Sequence, residues 1–200
     1  ILRGPVNHDS VSNVILEINK KPNKRDIFLY LNTNGGDVES GLKLVNEIEK
    51  YNISCIADKA YSMGFMIFQV CNKRYILPHG RIMQHQISFG IQDEFGKIKN
   101  YVDSVEQMGN TMIRKMAQRI NIDQSVFYDK VRDDWWLMGE NAVIEHCADQ
   151  VVNVFCSTSL TNTNYTIQDN YNRYIYSKCP LIEKEIEKIG KKTNDFFFFM

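Results

Sequence analysis

Apolar positions in this chain follow two spacings, which predict alternating helices and strands. Apolar residues three and four positions apart are typical of one face of an α-helix. This spacing occurs at 7–18, 38–51 and 97–120. Short, almost fully apolar runs are typical of buried strands, and they occur at 26–31, 53–57, 74–77 and 81–84. With 65–71 interpreted as a buried helix, this order predicts an α/β fold with a mainly parallel sheet.

The second half of the chain is predicted to hold shorter elements and an appendage. They are a helix at 123–131 capped by Asp123, a helix at 142–147 and a closing strand at 150–155. From Ser157 the composition changes to Thr, Asn and Tyr. We therefore predict one domain over 1–156 and a C-terminal extension of unassigned role over 157–200. The extension is interpreted as a tether and a short amphipathic helix at 182–189, and Phe196–Phe199 would need a covering surface.

Two turns with small residues follow the first two predicted strands. One contains Gly35 and Gly36, and the other contains Ser62 within Tyr-Ser-Met-Gly. Because the carboxyl ends of parallel strands meet at one edge of a sheet, Gly36 is expected near Ser62. The glycine pair lacks the Lys and Ser/Thr of a phosphate loop, so we interpret it as exposed backbone that another chain can approach.

Ser62 and His85 are the candidate reacting groups. A serine at a sharp turn into a helix can present its hydroxyl at the positive helix end. A histidine at the end of a neighbouring strand, such as His85, can take the proton from that hydroxyl. The alternative is structural, because serines before helices are often N-caps and histidines are often packing residues.

A pair of acids before two tryptophans is a third feature of interest. Asp133 and Asp134 precede Trp135 and Trp136. One interpretation is a carboxylate held in a partly desolvated place, and the other is a solvated turn before a packed tryptophan pair.

Composition excludes some classes of partner. The formal net charge is zero, so bulk charge indicates no nucleic-acid partner. No apolar run approaches the roughly 18 residues that span a bilayer, so no membrane partner is expected. The five cysteines contain no CxxC pair, and we interpret them as buried reduced thiols with no metal site. This predicts a cytoplasmic or organelle-matrix protein that is not secreted. The chain starts without Met, so we expect its natural start, with any targeting segment, to lie upstream.

Four segments occur in this order: Asp26-Ile-Phe-Leu-Tyr-Leu-Asn-Thr-Asn-Gly-Gly-Asp-Val, Ala60-Tyr-Ser-Met-Gly, Arg81-Ile-Met-Gln-His-Gln and Asp134-Trp-Trp-Leu-Met-Gly-Glu-Asn-Ala. Together they resemble the proteolytic subunit of the Clp protease, the ClpP-like serine peptidase family, over about residues 4–152. The chain departs from the family pattern at Asn34, where proline is usual, and at Tyr61, where a small residue is usual. The resemblance implies the ββα superhelix of the ClpP and crotonase folds, with the 97–120 helix as a protruding handle.

The resemblance also implies site residues. Ser62 would be the nucleophile, His85 the general base and acid, and Asp134 the residue that orients the imidazole. Asp133 is the alternative third member, because the family has Arg-Asp before the aromatic residue and Arg132 precedes Asp133. The N–H groups of Gly36 and Met63 would form the oxyanion hole. Gly36, Asp37 and Val38 would pair with an extended peptide as an added strand.

By resemblance, the chain would be an ATP-dependent serine endopeptidase that cleaves unfolded polypeptide inside a chamber of stacked rings. The rings would be homo-oligomers or contain paralogues, and an AAA+ unfoldase partner would use ATP, since this chain has no nucleotide motif. Two alternatives are a catalytically inactive ring subunit and a processing peptidase that needs no ATPase. An acyl-CoA enzyme of the crotonase type has no support in the Ser62 turn and His85.

Overall fold

The computed structural model of the protein describes residues 1–168 and 171–190. The chain divides after Asn153 into two compact units. That division lies three residues before the predicted boundary at 156, and the assignment of domains to 1–156 and 157–200 remains a prediction.

The first unit is a mainly parallel sheet with helices, as the sequence predicts. Its elements are β1 Leu2–Arg3, α1 His8–Lys20, β2 Phe28–Thr33, α2 Val38–Tyr51, β3 Ser54–Tyr61, α3 Met63–Gln69, β4 Arg74–Gln84, α4 Phe95–Ile120, α5 Gln124–Val131, β5 Trp135–Met138, α6 Glu140–Ile144 and β6 Gln150–Val151. The strand order is β1-β2-β3-β4-β5, and β6 also pairs with β4. Every pairing is parallel except that of β4 with β5. The mixed α/β prediction is confirmed.

Local capping explains where the first helices begin and end. Asn7 and Ser10 form a reciprocal capping box at the start of α1. The Asp37 carboxylate accepts a hydrogen bond from the Ser40 N–H at 2.7 Å and so caps α2. Hydrogen bonds with the Ser40 side chain, and then with its backbone N–H, lower the pKa of Asp37. Asn52, in the left-handed conformation, ends α2. Asp123 occupies the N-cap position of α5, but its side chain makes no capping hydrogen bond.

The helix α3 forms the centre of the core. All of its residues are buried, and they pack with buried residues of α2, the sheet and the second half of α4. The buried residues of α4 lie only in that second half: Gly109, Met112, Met116, Ala117 and Ile120. The first half of α4 therefore presents exposed apolar side chains such as Phe95 and Tyr101.

The sheet differs from the predicted strands in several places, one of which is the unpredicted short strand β1. The predicted strands 74–77 and 81–84 are one strand, β4, which shifts register where β3 passes from Ala57 to Lys59. Gly80 lies at this shift, where a Cβ would be 2.6 Å from the Ala57 carbonyl oxygen, so only glycine fits without displacement. The strand β5 was not predicted, because its four residues are too few to show a reliable alternation. The closing strand β6 has only two residues, instead of the predicted 150–155.

A buried ionic network fixes the carboxyl end of α3. Arg74 is buried, and its guanidinium donates to Asp149 Oδ1 at 2.6 Å and to Gln69 Oε1 at 2.6 Å. From α4, Arg119 donates to the carbonyl oxygens of Gln69 and Cys71 at 3.2 and 3.1 Å. Burial by itself raises the pKa of Asp149, but hydrogen bonds from Arg74 and the charges of Arg74 and Arg119 lower it more. Arg119 also places a cation at the negative end of the helix.

The second unit is a small antiparallel sheet. Its described elements are α7 Thr158–Asn162, β7 Asn164–Gln168, β8 Asn172–Ser177 and β9 Glu187–Gly190, with β8 in the centre. The predicted helix at 182–189 is wrong, because 187–190 pair with β8 as a strand. The apolar residues there have helical spacing, which led to the wrong prediction. The hydrogen bonds of the pairing with β8 outweigh this local helical preference. The four phenylalanines at 196–199 lie outside the described residues.

The prediction that the cysteines are reduced thiols is wrong for four of them. Cys55 is bonded to Cys71, and Cys156 is bonded to Cys179. Cys147 is a free, buried thiol. Spacing alone did not reveal the pairs, because the members are 16 and 23 residues apart and are joined only by the fold. The predicted reducing compartment, which depended on reduced thiols, loses that support. Among the described residues, no helix is both long and apolar enough to cross a bilayer.

We expect Asp149→Asn to lower the free energy of unfolding at pH 7 by about 3 kcal/mol, because it leaves the buried Arg74 charge uncompensated. Since the pKa of Asp149 is lower in the folded state, its contribution is complete above the unfolded value of about 3.9 and is lost as the pH falls through the folded value. Urea unfolding of the parent and the variant at pH 7, 5 and 3 measures this difference.

Asp129→Asn is the matched control, because Asp129 is 75% exposed and pairs with Arg132 at 3.5 Å. We expect it to change the free energy of unfolding by less than about 0.5 kcal/mol. Equal effects of the two substitutions at pH 7 would contradict a stabilising role for the Arg74–Asp149 pair.

Candidate active site

Ser62 lies in a sharp turn between β3 and α3. Its backbone has φ 54° and ψ −119°, which is unusual for a residue with a side chain. The Ser62 N–H donates to the Met83 carbonyl oxygen of β4 at 2.8 Å, and the Ser62 carbonyl accepts from the Phe65 N–H in the first turn of α3. The serine therefore precedes the helix without using its hydroxyl as a cap, since α3 has no side-chain capping hydrogen bond.

The Ser62 hydroxyl meets His85 instead. The distance between Ser62 Oγ and His85 Nε2 is 2.8 Å. His85 directly follows β4, the strand that pairs in parallel with β3, so both residues stand at the carboxyl edge of the sheet. The imidazole is half-buried. The structure thus brings together the two predicted reacting groups, which are 23 positions apart in the sequence.

The glycine turn after β2 packs directly against the serine turn. Gly35 has φ +86°, and a Cβ there would lie 2.5 Å from the Tyr61 carbonyl oxygen and 2.8 Å from Ser62 Cβ. A side chain is excluded by both the conformation and the space. The Gly35 N–H donates to Thr33 Oγ1 at 3.0 Å within the buried interior, which fixes the turn.

The amide of Gly36 is directed by a contact that the sequence analysis missed. The Val6 N–H donates to the Gly35 carbonyl, and the Asp37 N–H donates to the Val6 carbonyl, both at 2.8 Å. In this parallel bridge the N–H of the residue between them points to the opposite side, away from Val6. Gly36 has φ +143°, a conformation that favours glycine, so the glycine itself is the sequence signal for this geometry. The second predicted donor, Met63, is the first residue of α3, where helix geometry provides no acceptor for the N–H.

The predicted peptide-binding strand at 36–38 is only partly available. Val6 already uses the N–H of Asp37, whose side chain caps α2, and Val38 is the first residue of that helix. A peptide would therefore pair with the groups on the Gly36 side that faces away from Val6.

Neither candidate for the third member of the triad is bonded to His85 among the described residues. In the described residues, no hydrogen bond or ion pair joins His85 to Asp134 or to Asp133. Asp134 is exposed with φ +60°, and Asp133 is exposed beside Arg132 at 3.5 Å. However, β4 pairs with β5 so that Gln84 is opposite Trp135. One further step of this antiparallel register would pair His85 with Asp134, although the observed pairing ends at Gln84 and Trp135.

The two tryptophans after these acids point to opposite faces of β5. Trp135 is 9% exposed and packs against Phe65 and Phe127, whereas Trp136 is 52% exposed. The prediction of a packed tryptophan pair is therefore wrong for Trp136, because the pair lies in a strand and alternates. Trp136 contacts Tyr61 edge to face, with ring centroids 4.9 Å apart. This contact beside the serine was also missed by the sequence analysis.

Other chemistry in the described residues is limited. Burial raises the pKa of the Cys147 thiol to about 12, so the thiol stays neutral and is a poor nucleophile. Within residues 1–168 and 171–190, no three His, Cys, Asp or Glu side chains are grouped so that they could hold a metal ion.

Comparison with known proteins agrees with this arrangement. The family model described as Clp protease matches residues 1–154. The chain belongs to the Clp protease family. Over 156 aligned residues it is 34% identical to a protein of Frankia casuarinae named ATP-dependent Clp protease proteolytic subunit 1, and the alignment covers 70% of each chain. The protein is therefore a ClpP-type peptidase, and the Clp protease match ends one residue after the first compact unit.

We expect Gly35→Ala to reduce covalent labelling of Ser62 by an active-site phosphonate roughly a hundredfold, because the added methyl group displaces the serine turn. The substitution also strains a residue at φ +86°. Labelling rates, measured with circular dichroism as a check on folding, test this expectation.

Gly90→Ala is the control, because a Cβ at Gly90 meets no atom within 4 Å. It should label at the parent rate. Undiminished labelling of a folded Gly35→Ala protein would contradict the close packing of the two turns.

Proposed function

We propose that this Clp-family chain is a serine endopeptidase that hydrolyses extended, unfolded polypeptide through an acyl-enzyme. The observation that carries the proposal is the 2.8 Å contact between Ser62 Oγ and His85 Nε2 at a strained turn that opens a buried helix. This is a nucleophile within hydrogen-bond reach of its base, at the positive end of a helix dipole.

The proposed reaction follows from this geometry. His85 Nε2 takes the proton of Ser62 Oγ as the oxygen attacks the scissile carbonyl carbon. The N–H groups of Gly36 and Met63 donate to the developing oxyanion. His85 then gives the proton to the leaving amine, and a water molecule, activated by the same imidazole, hydrolyses the ester on Ser62.

Asp134 is the proposed partner of His85 Nδ1. Its carboxylate would hold the imidazole in the tautomer that leaves Nε2 free to accept the serine proton. The register of β4 with β5 pairs Gln84 with Trp135, and its continuation by one residue would pair His85 with Asp134, which supports this choice over Asp133. Since the carboxylate is exposed and unbonded to His85 here, we propose that assembly or substrate binding brings the two side chains into contact.

The proposed assembly is a chamber of stacked rings in which α4 lies between rings. The exposed apolar side chains on the first half of α4, including Phe95, Tyr101 and Val102, support contact with another copy. Enclosed sites would act only on chains that enter unfolded, so an AAA+ partner would supply the unfolding and use ATP. No cofactor is proposed for this chain itself.

A catalytically inactive ring subunit is the second candidate. The observation that favours it is that neither Asp134 nor Asp133 contacts His85 among the described residues. A processing peptidase that needs no ATPase is a variant of the first proposal. Unlike an ATP-dependent peptidase, it would cleave its substrates at the same rate with or without an unfoldase.

We expect a fluorophosphonate probe to label the assembled parent protein, because the Ser62–His85 pair generates a reactive hydroxyl. Ser62→Ala should abolish labelling, and His85→Ala should reduce it by roughly a thousandfold or more. Gel fluorescence and intact mass measure the label. Absence of labelling in a folded, assembled parent protein would instead favour the inactive subunit.

We expect Asp134→Asn to lower the peptidase kcat by roughly a thousandfold or more while KM changes little, because the imidazole would be held in the wrong tautomer. Asp133→Asn is the matched control and should leave kcat within about twofold of the parent. Steady-state peptide hydrolysis at saturating substrate compares them. A large loss of kcat for Asp133→Asn alone would reverse the assignment of the third residue.

A further inference from the structure

The disulfide between Cys55 and Cys71 closes a loop that contains the candidate nucleophile. The two cysteines are 16 positions apart in the sequence. The segment between them holds most of β3, the turn at Ser62 and all of α3. We call residues 55–71 the nucleophile loop. Its two ends are joined covalently, and Ser62 lies near its middle.

Backbone hydrogen bonds join the same two ends of the nucleophile loop. The Asn72 N–H donates to the Ile53 carbonyl, and the Cys55 N–H donates to the Lys73 carbonyl, both at 2.9 Å. Such hydrogen bonds can be exchanged for bonds to water when the end of a helix opens locally. A disulfide keeps the chain ends together even then. The disulfide therefore limits how far the end of α3 can move from β3.

The conformation of Ser62 depends on constraints from its surroundings. Its φ of 54° is costly for a residue with a side chain, and such conformations persist only where the surrounding structure over-determines them. Gly35 packs against the turn, and the Ser62 N–H is bonded to the Met83 carbonyl. Because α3 is one short, buried helix, the disulfide adds a constraint at its other end. If the disulfide is reduced, a relaxed turn with a displaced hydroxyl becomes more populated.

Reduction of the disulfide is compatible with the same fold. Cys55 and Cys71 are 0% and 1% exposed, and both belong to the hydrophobic core. A buried free thiol behaves as a small apolar side chain, so both thiols can stay in place. The nucleophile loop thus has two covalent states on one fold, and they differ in how freely the end of α3 moves.

The third cysteine of this unit does not open the disulfide. Cys147 lies at the same end of α3, because Gln69 Nε2 donates to its carbonyl oxygen at 2.9 Å. Thiol–disulfide exchange needs a thiolate. Burial raises the pKa of the Cys147 thiol to about 12, so this thiol stays neutral near pH 7. A change of the disulfide therefore needs a reductant other than Cys147.

A cleft of about 310 Å³ lies at the Cys71 end of the nucleophile loop. It is lined by Val70, Cys71 and Asn72, and by Lys115 and Arg119 of α4. This volume suits a small molecule such as a dithiol. Nearby cations favour the thiolate form of a thiol, which is the form that attacks a disulfide. Since Cys71 is only 1% exposed, its sulfur can be attacked when the end of α3 moves aside.

We propose that the Cys55–Cys71 disulfide is a redox-dependent constraint on the Ser62 turn, with Ser62 more reactive in the oxidised chain than in the reduced chain. The thiolate of a small dithiol attacks one sulfur, forms a mixed disulfide and releases the other cysteine as a thiolate. The second thiol of the reductant then displaces the remaining cysteine, so two electrons and two protons pass from the dithiol to the protein. The inference rests on the proposed function, because it concerns regulation of the Ser62 hydroxyl.

Labelling of Ser62 in the two redox states tests the inference. The folded, assembled parent protein is equilibrated with oxidised or with reduced dithiothreitol, and the mass after unfolding and alkylation counts its thiols. We expect one thiol in the oxidised form and five in the reduced form. The fluorophosphonate probe should label the oxidised form roughly tenfold faster. Equal labelling rates, five thiols in both forms, or a Cys55–Cys71 bond that resists the reductant overturns the inference.

Alanine substitution of both cysteines gives a chain in which the constraint is always absent. Cys55→Ala with Cys71→Ala should label at the rate of the reduced parent and should not respond to dithiothreitol. Cys156→Ala with Cys179→Ala is the matched control, because it removes the other disulfide. It should keep the roughly tenfold response of the parent. Loss of the response in this control, with its retention in the first variant, overturns the inference.

Amide hydrogen exchange separates failure of the inference from failure of the proposed function. The amides of α3 should exchange roughly tenfold faster in the reduced parent than in the oxidised parent, whereas those of α1 should change little. This measurement needs no reactive serine. If neither form is labelled and yet the exchange of α3 differs, the proposed function fails and the redox-dependent constraint stands. Equal exchange of α3 in the two forms overturns the constraint.

Discussion

The parallel pairing of β3 with β4 is the constraint on which the candidate site depends. Ser62 follows the last residue of β3 and His85 follows the last residue of β4. The pairing therefore brings two residues that are 23 positions apart in the sequence within hydrogen-bond distance. The Ser62 amide bond to the Met83 carbonyl belongs to the same pairing, and it holds the serine in a conformation that an L-residue otherwise avoids. A slip of β4 by one residue would turn His85 to the other face and would abolish both contacts.

Residues of other elements hold the helix α3 at both ends. At its start, the serine turn packs against Gly35. At its end, Arg74 donates to the side chain of Gln69, the last residue of the helix, and Arg119 donates to the Gln69 carbonyl. Because α3 has only seven residues and is fully buried, little displacement between these two ends is possible without a cavity or a clash. The position of Ser62 thus depends on an ionic network at the opposite end of a rigid helix.

Sequence reasoning predicted what depends on local pattern. The helix at 38–51 and the turns at Gly35 and Ser62 follow from apolar spacing and from residues suited to turns. The strand β5 and the outward direction of Trp136 could not be predicted in this way, because four residues show alternation only once a partner strand is known. The helix predicted at 182–189 failed for the reverse reason, since a strand pairing replaced a plausible local pattern.

Long-range contacts set the remaining limits of the sequence reasoning. The resemblance identified Asp134 as a candidate site residue. The position of its carboxylate, however, depends on a backbone at φ +60°, which residue spacing does not predict. The pairing of Cys55 with Cys71 likewise depends on the fold that brings them together. Lys59 is opposite Arg81 only because of a register shift in the sheet that the sequence pattern did not reveal.

The bridge between Val6 and Gly36 has a mechanical consequence. Two hydrogen bonds join the strand-like segment at Val6 to the turn whose central amide is the proposed oxyanion donor. Only Gly4 and Pro5 separate β1 from Val6. A displacement of β1, by a force or by a binding partner, would therefore be transmitted to Gly36 through this short segment and not through the core. The N–H of Gly36, which would donate to the oxyanion, is therefore linked by hydrogen bonds to the segment at Val6. Its orientation can respond to a partner that binds this segment.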